Sequence, residues 1–419
     1  MKNAMKCMTV AVVILLVIVG CGESSKSDGS KKISHENIDF GDIGTFDVNE
    51  GMGGFASGGY DEDSIYSTQA GWTRQSRFKG VQDPEIKQEI SLPGRLKSFE
   101  TEPLIDGEGY IYLKINEYDD EPHSDEGEYD GFYKYDRAGE IIWKKTGYHE
   151  EYDIIVGNSE NRAPAFDNHN QLIGTIDEKT LAAIDRDTGE FNFVYQIEDN
   201  RGAQPWSPTI GSDGTIYFVY VDRVVALNSD GSEKWKYEYE GEDAGPDFIP
   251  AIAEDRLFVR AGYDLMALDL DGNFLWRENI GYSPTPAMSN ILIAENGNLY
   301  LANDDRLVSY SPDGELLWDV QVDEDTSFMS GSTGLALTAD GLIIGLFSPD
   351  LYAFDLEGNE VWRTENLQTY GGITVDSEGT SYFAGGRTLY SVDKSGILNW
   401  EFELPSSEVG DPVIGPNEE

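Results

Sequence analysis

"ALDLDGNFLW", residues 267–276, sets an acid-led turn between two apolar half-strands, and versions of it recur through the greater part of the 419-residue chain. Asp269 can bond its own backbone, and Gly272 supplies the left-handed residue that a short bulged hairpin requires. Leu265, Ala267 and Asp269 before the turn, and Phe274 and Trp276 after it, alternate as strands half buried between sheets do. The other copies are "KYDRAGEIIW" ending at Trp143, "AIDRDTGEFNF" at Phe193, "ALNSDGSEKW" at Trp235, "SYSPDGELLW" at Trp318, "AFDLEGNEVW" at Trp362 and "SVDKSGILNW" at Trp400. Their aromatic anchors lie 50, 42, 41, 42, 44 and 38 residues apart. Four short strands and their turns fill such a period, which marks propeller blades. Six of the eight Trp residues occupy this one position. A large ring repeated at a fixed site predicts a wedge between neighbouring blades.

The segment ahead of each hairpin repeats as well. "WSPTIGSDGTIYFVYVDRVVAL" before Trp235 contains a first strand near 208–210, a turn at 212–214 and a second strand over 215–220. The same order returns in "FIPAIAEDRLFVRAGYDLMAL" and "GLALTADGLIIGLFSPDLYAF". Each repeat therefore holds four antiparallel strands, A to D from the inside outwards. A lone sheet of this size buries too little to stand alone, so the blades must pack face to face. The predicted fold is all-β, a β-propeller of seven full repeats. "PEIKQEISLP", residues 84–93, reads as a D strand without its A, B and C, and "GDPVIGP", residues 410–416, as an A strand without the rest. These N- and C-terminal strands can share a blade and close the ring, which gives seven or eight blades.

The string Ala-x-Asp-x-x-Gly-x-x-x-Trp, following an "SP-x-I-x-x-DGT-x-Y" segment, resembles the PQQ-like β-propeller repeat over roughly Trp72 to Ile414. Quinoprotein dehydrogenases share that repeat with non-enzymatic lipoproteins, among them the propeller subunit of the outer-membrane β-barrel assembly machinery. The enzymes of this resemblance hold their quinone with an adjacent Cys pair and calcium-binding acids.

Residues 1–20 carry Lys2 and Lys6, then the apolar run "MTVAVVILLVIVG", then Cys21. This is the pattern of a secretory signal, too short for a stable membrane span. Ile18-Val19-Gly20-Cys21 resembles the bacterial lipobox, which implies lipidation of Cys21, and Gly22 in place of Asp implies sorting to the outer membrane. Residues 21–70 are rich in Gly, Ser and acids and read as a flexible tether. Residues 71–419 form the propeller. The two cysteines are Cys7, inside the signal, and Cys21, so the folded part has neither disulfide nor thiol nucleophile.

With 30 basic against 78 acidic residues the formal net charge is −48. That field excludes nucleic acid and anionic membrane surfaces as natural partners. A solvated acidic coat suits a saline habitat; the alternative is a cation-binding surface. One cluster is denser. "NEYDDEPHSDEGEYDG", residues 116–131, enlarges the B-to-C connection of the first blade, and "GYHEEYDIIVGNSENR", residues 147–162, follows as its D-to-A connection. Both connection types emerge on one face of a propeller. Asp119, Asp120, His149, Glu150 and Glu151, with His123 and Asp125, could therefore converge on Ca²⁺ or another divalent ion, although their spacing matches no known ligand loop.

No GxSxG elbow, HExxH helix or phosphate-cradling GxxxxGK[ST] is present, and there are four His residues. No catalytic residue is assigned, no cofactor is expected, and the absence of a mature Cys pair departs from the quinoproteins and speaks against PQQ. Trp206, Tyr148 and Tyr282 are the candidates for a partner or ligand face. The expected function is that of a non-catalytic, lipid-anchored, monomeric propeller of the cell envelope that scaffolds protein partners through its loop face. A quinoprotein-type enzyme and a binder of carbohydrate or cell-surface polymer are the alternatives.

Overall fold

The computed structural model describes residues 55–56, 80–81, 84, 103–115, 131–156, 163–177, 179–198, 205–220, 223–239, 249–253, 255–261, 264–281, 289–303, 305–323, 327–328, 334–367, 372–404 and 412–414. Among them every regular element is a β-strand, and the strands form seven antiparallel sheets, each built on four strands in chain order. In the fourth blade these are Ala251–Ala253, Arg256–Ala261, Asp264–Asp269 and Phe274–Asn279, paired successively from the inside outwards. Phe55 and Ala56 pair with Ala253 and Ile252 on the inner edge of this sheet. The chain is thus a β-propeller of seven full blades, as its repeat predicts.

The turn chemistry is the expected one. Asp269 Oδ1 accepts the amides of Asp271 at 3.0 Å and Asn273 at 2.8 Å, and the Gly272 amide donates to the Asp269 carbonyl at 3.0 Å. Gly272 has a φ of +85°, a conformation that costs other residues energy. The ladder slips at this point, with Ala267 opposite Trp276 but Leu268 opposite Phe274. This bulge starts the outer strand and aims the Trp ring at the neighbouring blade.

The core lies in the layers between blades. Leu265 and Ala267 of the fourth blade meet Ile291, Ile293 and Leu299 of the fifth, and Trp276 packs against the same cluster. Equivalent clusters fill the seams from the first blade to the seventh. Six times over, a Trp indole donates to a carbonyl across a seam: Trp143 to Arg186, Trp235 to Leu270, Trp276 to Pro312, Trp318 to Leu356, Trp362 to Lys394 and Trp400 to Val81. The wedge is real but lies at the rim. Trp276 is half-buried, because the outer strand has no further strand to cover it.

Three details depart from the sequence reading. Phe274, expected to face inwards, is exposed along with Leu275, because the bulge turns the first two residues of the outer strand away from the seam. The repeat Gly does more than turn the chain: a Cβ on Gly314 would lie 2.7 Å from Trp276 Cδ2, so Gly also makes room for the preceding blade's ring. In the first blade the outer strand runs on to His149, and Ile154–Val156 folds back on it with Tyr148 opposite Ile155. Part of the expected D-to-A connection is therefore a fifth strand. Ile154 and Val156 are held by burial against the cluster shared by the first two blades.

Residues from both ends of the chain fill the seam between the seventh and first blades. Val81 stands where the turn carbonyl of a following blade would stand, accepting the Trp400 indole at 3.0 Å, and the Gly80 amide donates to Asp376 Oδ2 at 2.9 Å. Thr374 Oγ1 donates to the Pro412 carbonyl at 2.7 Å, as Thr209 does to Pro250 ahead of the fourth blade's inner strand. Val413 then packs against the cluster of the first two blades. Residues 85–93, read as the orphan outer strand, lie outside the described residues.

Candidate functional site

The A-to-B and C-to-D turns share one face of the propeller, and short Asx turns build most of it. Donation from the Asn273 side chain and then its amide holds the Asp269 carboxyl below the usual carboxylate range. Asp230, bonded by the Ser232 hydroxyl and amide, is lowered in the same way. These carboxylates stay ionised and solvated and place fixed negative charge on that face.

Between the first and second blades this pattern goes inside. The buried carboxylate of Asp106 accepts the Tyr112 hydroxyl at 3.0 Å and Arg186 Nη2 at 3.1 Å. Lys134 Nζ donates to the Arg186 carbonyl at 2.9 Å and lies 4.2 Å from the centre of the Tyr110 ring. Burial lowers the Lys134 pKa and raises that of Tyr112 well above the ordinary phenol. Every polar group named here is taken up by another. The cluster is a clasp between two blades, a role that short motif searches miss because its members are 80 residues apart.

Three of the five predicted metal ligands, His149, Glu150 and Glu151, lie on one hairpin. His149 stacks on Tyr152, with ring centres 5.3 Å apart, and meets the edge of Phe191 at 5.1 Å. Gln196 Nε2 ties the same hairpin to the second blade through the Tyr152 carbonyl at 2.9 Å. Tyr148 is exposed, and its hydroxyl donates to Asp153 Oδ1 at 2.7 Å, which raises its pKa. Glu150 and Glu151 are exposed at the hairpin tip. Asp119, Asp120 and Tyr282, with His123 and Asp125, lie outside the described residues. Among the described residues no group of three or more His, Cys, Asp or Glu side chains is placed to hold a metal ion. Trp206 is half-buried, its amide donating to the Val219 carbonyl at 3.0 Å, so its backbone extends the inner pairing of the third blade.

With the His149 ring engaged by two aromatics, millimolar Ca²⁺ is expected to raise the melting temperature no more than NaCl of equal ionic strength. A bound ion would add RT ln(1 + [L]/Kd), about 2.7 kcal/mol at a hundredfold excess, whereas screening ignores ion identity. An ion-specific rise that Glu150→Gln with Glu151→Gln abolishes would establish the site instead.

Seven blades, four with the Asp-x-x-Gly-x-x-x-Trp turn itself and six with a Trp-to-carbonyl bond across a seam, define a PQQ-like β-propeller. A family model described as outer membrane protein assembly factor BamB matches residues 177–344 and 348–418. That is more than half of the chain, and the chain belongs to this family. Among solved structures, quinohemoprotein alcohol dehydrogenase from Comamonas testosteroni aligns with a TM-score of 0.60 at 12% identity, over 84% of this chain and 74% of that one. BamB from Moraxella catarrhalis aligns with a TM-score of 0.46 at 15% identity, over 68% of this chain and 86% of that one. At such identity the likeness to the dehydrogenase is one of fold. No curated protein matches.

Proposed function

We propose that this chain is a non-catalytic, lipid-anchored propeller of the bacterial cell envelope, a monomer that scaffolds or assists the assembly of envelope proteins at the outer membrane. The observation that carries the reading is membership of the assembly-factor family over most of the propeller. The cysteine inventory supports it: with Cys7 in the signal and Cys21 lipidated, no Cys pair remains to hold a quinone. In this reading residues 1–20 are removed, Cys21 carries the lipid, residues 21–70 are the tether, and the partner is protein, since a net charge of −48 repels nucleic acid.

Cys21→Ser is expected to move the protein from the membrane fraction to the soluble fraction, because several acyl chains on one terminus anchor stably where none does. In cells that lack the chain, the content of folded β-barrel proteins in the outer membrane is expected to fall. A soluble wild-type protein with an unmodified N-terminus overturns the anchor. An unchanged complement of barrels overturns the assembly role.

A further inference from the structure

Seven of the ten exposed large hydrophobic side chains among the described residues occupy the same two repeat positions, the two residues directly ahead of the seam aromatic, and an eighth, Ile397, stands one place earlier. The seven are Ile141 and Ile142 in the first blade, Phe274 and Leu275 in the fourth, Leu316 and Leu317 in the fifth, and Leu398 in the seventh, where Asn399 takes the second position. The fold does not ask for apolar residues there. The third blade carries Glu233 and Lys234 at these positions and the sixth carries Glu360, and both close the same bulge and make the same seam bond, through Trp235 and Trp362.

The seventh and first blades meet only across the seam that the terminal residues fill, where Trp400 bonds Val81, whereas the fourth and fifth are direct neighbours and there the pairs join. Trp276 follows Leu275 directly and reaches across to the turn that precedes Leu316, its indole on the Pro312 carbonyl at 2.8 Å and its ring over Gly314. From the other side the Tyr237 ring stacks parallel to Phe274 with centres 6.3 Å apart. The result is a continuous apolar strip on the outer rim, with Phe274 at 48%, Leu275 at 42%, Leu316 at 53% and Leu317 at 45% exposure. The exposed carboxylates of Asp271, Glu278 and Glu315 border it.

We propose that this strip is a docking surface for a cationic amphipathic segment of a protein partner, whose apolar side chains cover the two pairs while its Lys and Arg residues meet the bordering acids. The proposal rests on the scaffold reading above and names the surface and the chemistry of its partner. Apolar strips of this kind on a folded protein mark interaction sites. Charge selects the occupant: a second copy of a chain with net charge −48 brings like charge to a rim already acidic, and an anionic bilayer does the same. A basic partner gains from the field at long range and from the strip at contact.

The test uses the mature protein and a labelled synthetic helix of alternating Lys and Leu faces, with a Lys and Ser peptide of equal charge as its control, read by fluorescence anisotropy. The Lys/Leu peptide is expected to bind and the Lys/Ser peptide to bind at least about tenfold more weakly, the difference expected when buried apolar anchors carry the contact. Leu275→Thr with Leu317→Thr should weaken the Lys/Leu peptide by at least about tenfold at an unchanged melting temperature, since Thr suits an exposed strand. Ile397→Thr with Leu398→Thr, on the seventh blade, should leave binding as it is. Equal binding of the two peptides, no binding by wild type, or no loss in the fourth- and fifth-blade variant overturns the proposal. So does sedimentation that finds a wild-type dimer which the same variant dissolves, for the occupant is then a second copy. If cells lacking the chain lose barrels while this variant restores them in full, the scaffold reading stands and the rim assignment falls.

Discussion

Gly314→Ala is expected to destabilise the propeller by about 2 to 5 kcal/mol, combining a left-handed residue with a Cβ and a clash in a packed seam. Gly314 has a φ of +86°, and its added Cβ would sit 2.7, 2.9 and 3.1 Å from Cδ2, Cε3 and Cε2 of Trp276. An indole held by its own bond to the Pro312 carbonyl cannot swing clear without losing that bond. Gly341 separates the two costs. Its φ of +82° is nearly the same, but its Cβ would meet nothing closer than Leu356 Cδ1 at 3.6 Å, an ordinary contact. Gly341→Ala should therefore lose only the backbone part, about 1 to 2 kcal/mol. Trp276→Ala alone should cost about 2 to 3 kcal/mol, less than a fully buried aromatic, because the ring is half-exposed. In that background Gly314→Ala should fall to the Gly341→Ala value, a coupling that a double-mutant cycle measures. Equal losses at the two glycines in wild type would show that the ring yields freely and that the wedge contributes little.

Asp376→Ala is expected to cost about 3 to 5 kcal/mol, because it strands several buried donors at once. Asp376 is 0% exposed. Oδ1 accepts the amides of Glu378 at 2.9 Å and Thr380 at 2.8 Å, and Oδ2 accepts the Gly80 amide at 2.9 Å and the Tyr382 hydroxyl at 3.2 Å. The last two bonds hold the N-terminal segment in the seam. Asp269→Ala, at an exposed turn with the same local amide bonds, should cost only about 1 kcal/mol, as other capping losses do. Thermal melting compares the two, and protease cleavage near Gly80 should accelerate in the Asp376 variant alone. Matching losses would mean that the seam adds nothing to this turn.

The repeat was legible because each copy obeys local rules. Asp269, Gly272 and the alternation around them are short-range demands that any strand-turn-strand must meet, and the period follows from counting. The C-terminal segment was legible as an incomplete blade for the same reason, and Pro412 and Val413 do sit in the seam; Gly80 and Val81, which meet them there, precede the N-terminal segment read as a strand. What stayed hidden depends on other blades. Nothing near Gly314 in sequence says that Trp276 lies over it, and nothing near Asp106 says that Arg186 reaches it. Alternation placed Phe274 inside because a period of two cannot register a one-residue bulge. The acidic tip at 150–153 disguised a fifth strand as a connection, and His149, chosen for its imidazole, serves as an aromatic surface. Of the partner-face candidates, Trp206 is half-buried, Tyr148 is exposed and Tyr282 lies outside the described residues.

A seam made from both ends of the chain sets a clock on its own synthesis. Val81 leaves the ribosome 319 residues before the Trp400 indole that will bond it, and Gly80 waits 296 residues for Asp376. At roughly 5 to 20 residues per second this is a delay of roughly 15 to 65 seconds, long beside the microseconds in which a hairpin forms. Seven blades can stack as they emerge, each on the one before it, but the first keeps an uncovered flank until the last residues arrive. For that interval the nascent protein is an open arc with unpaired strand edges at its leading end, the form of a β-protein most prone to wrong pairing. The acidic surface has a use at that stage too: two such arcs repel each other before either has closed.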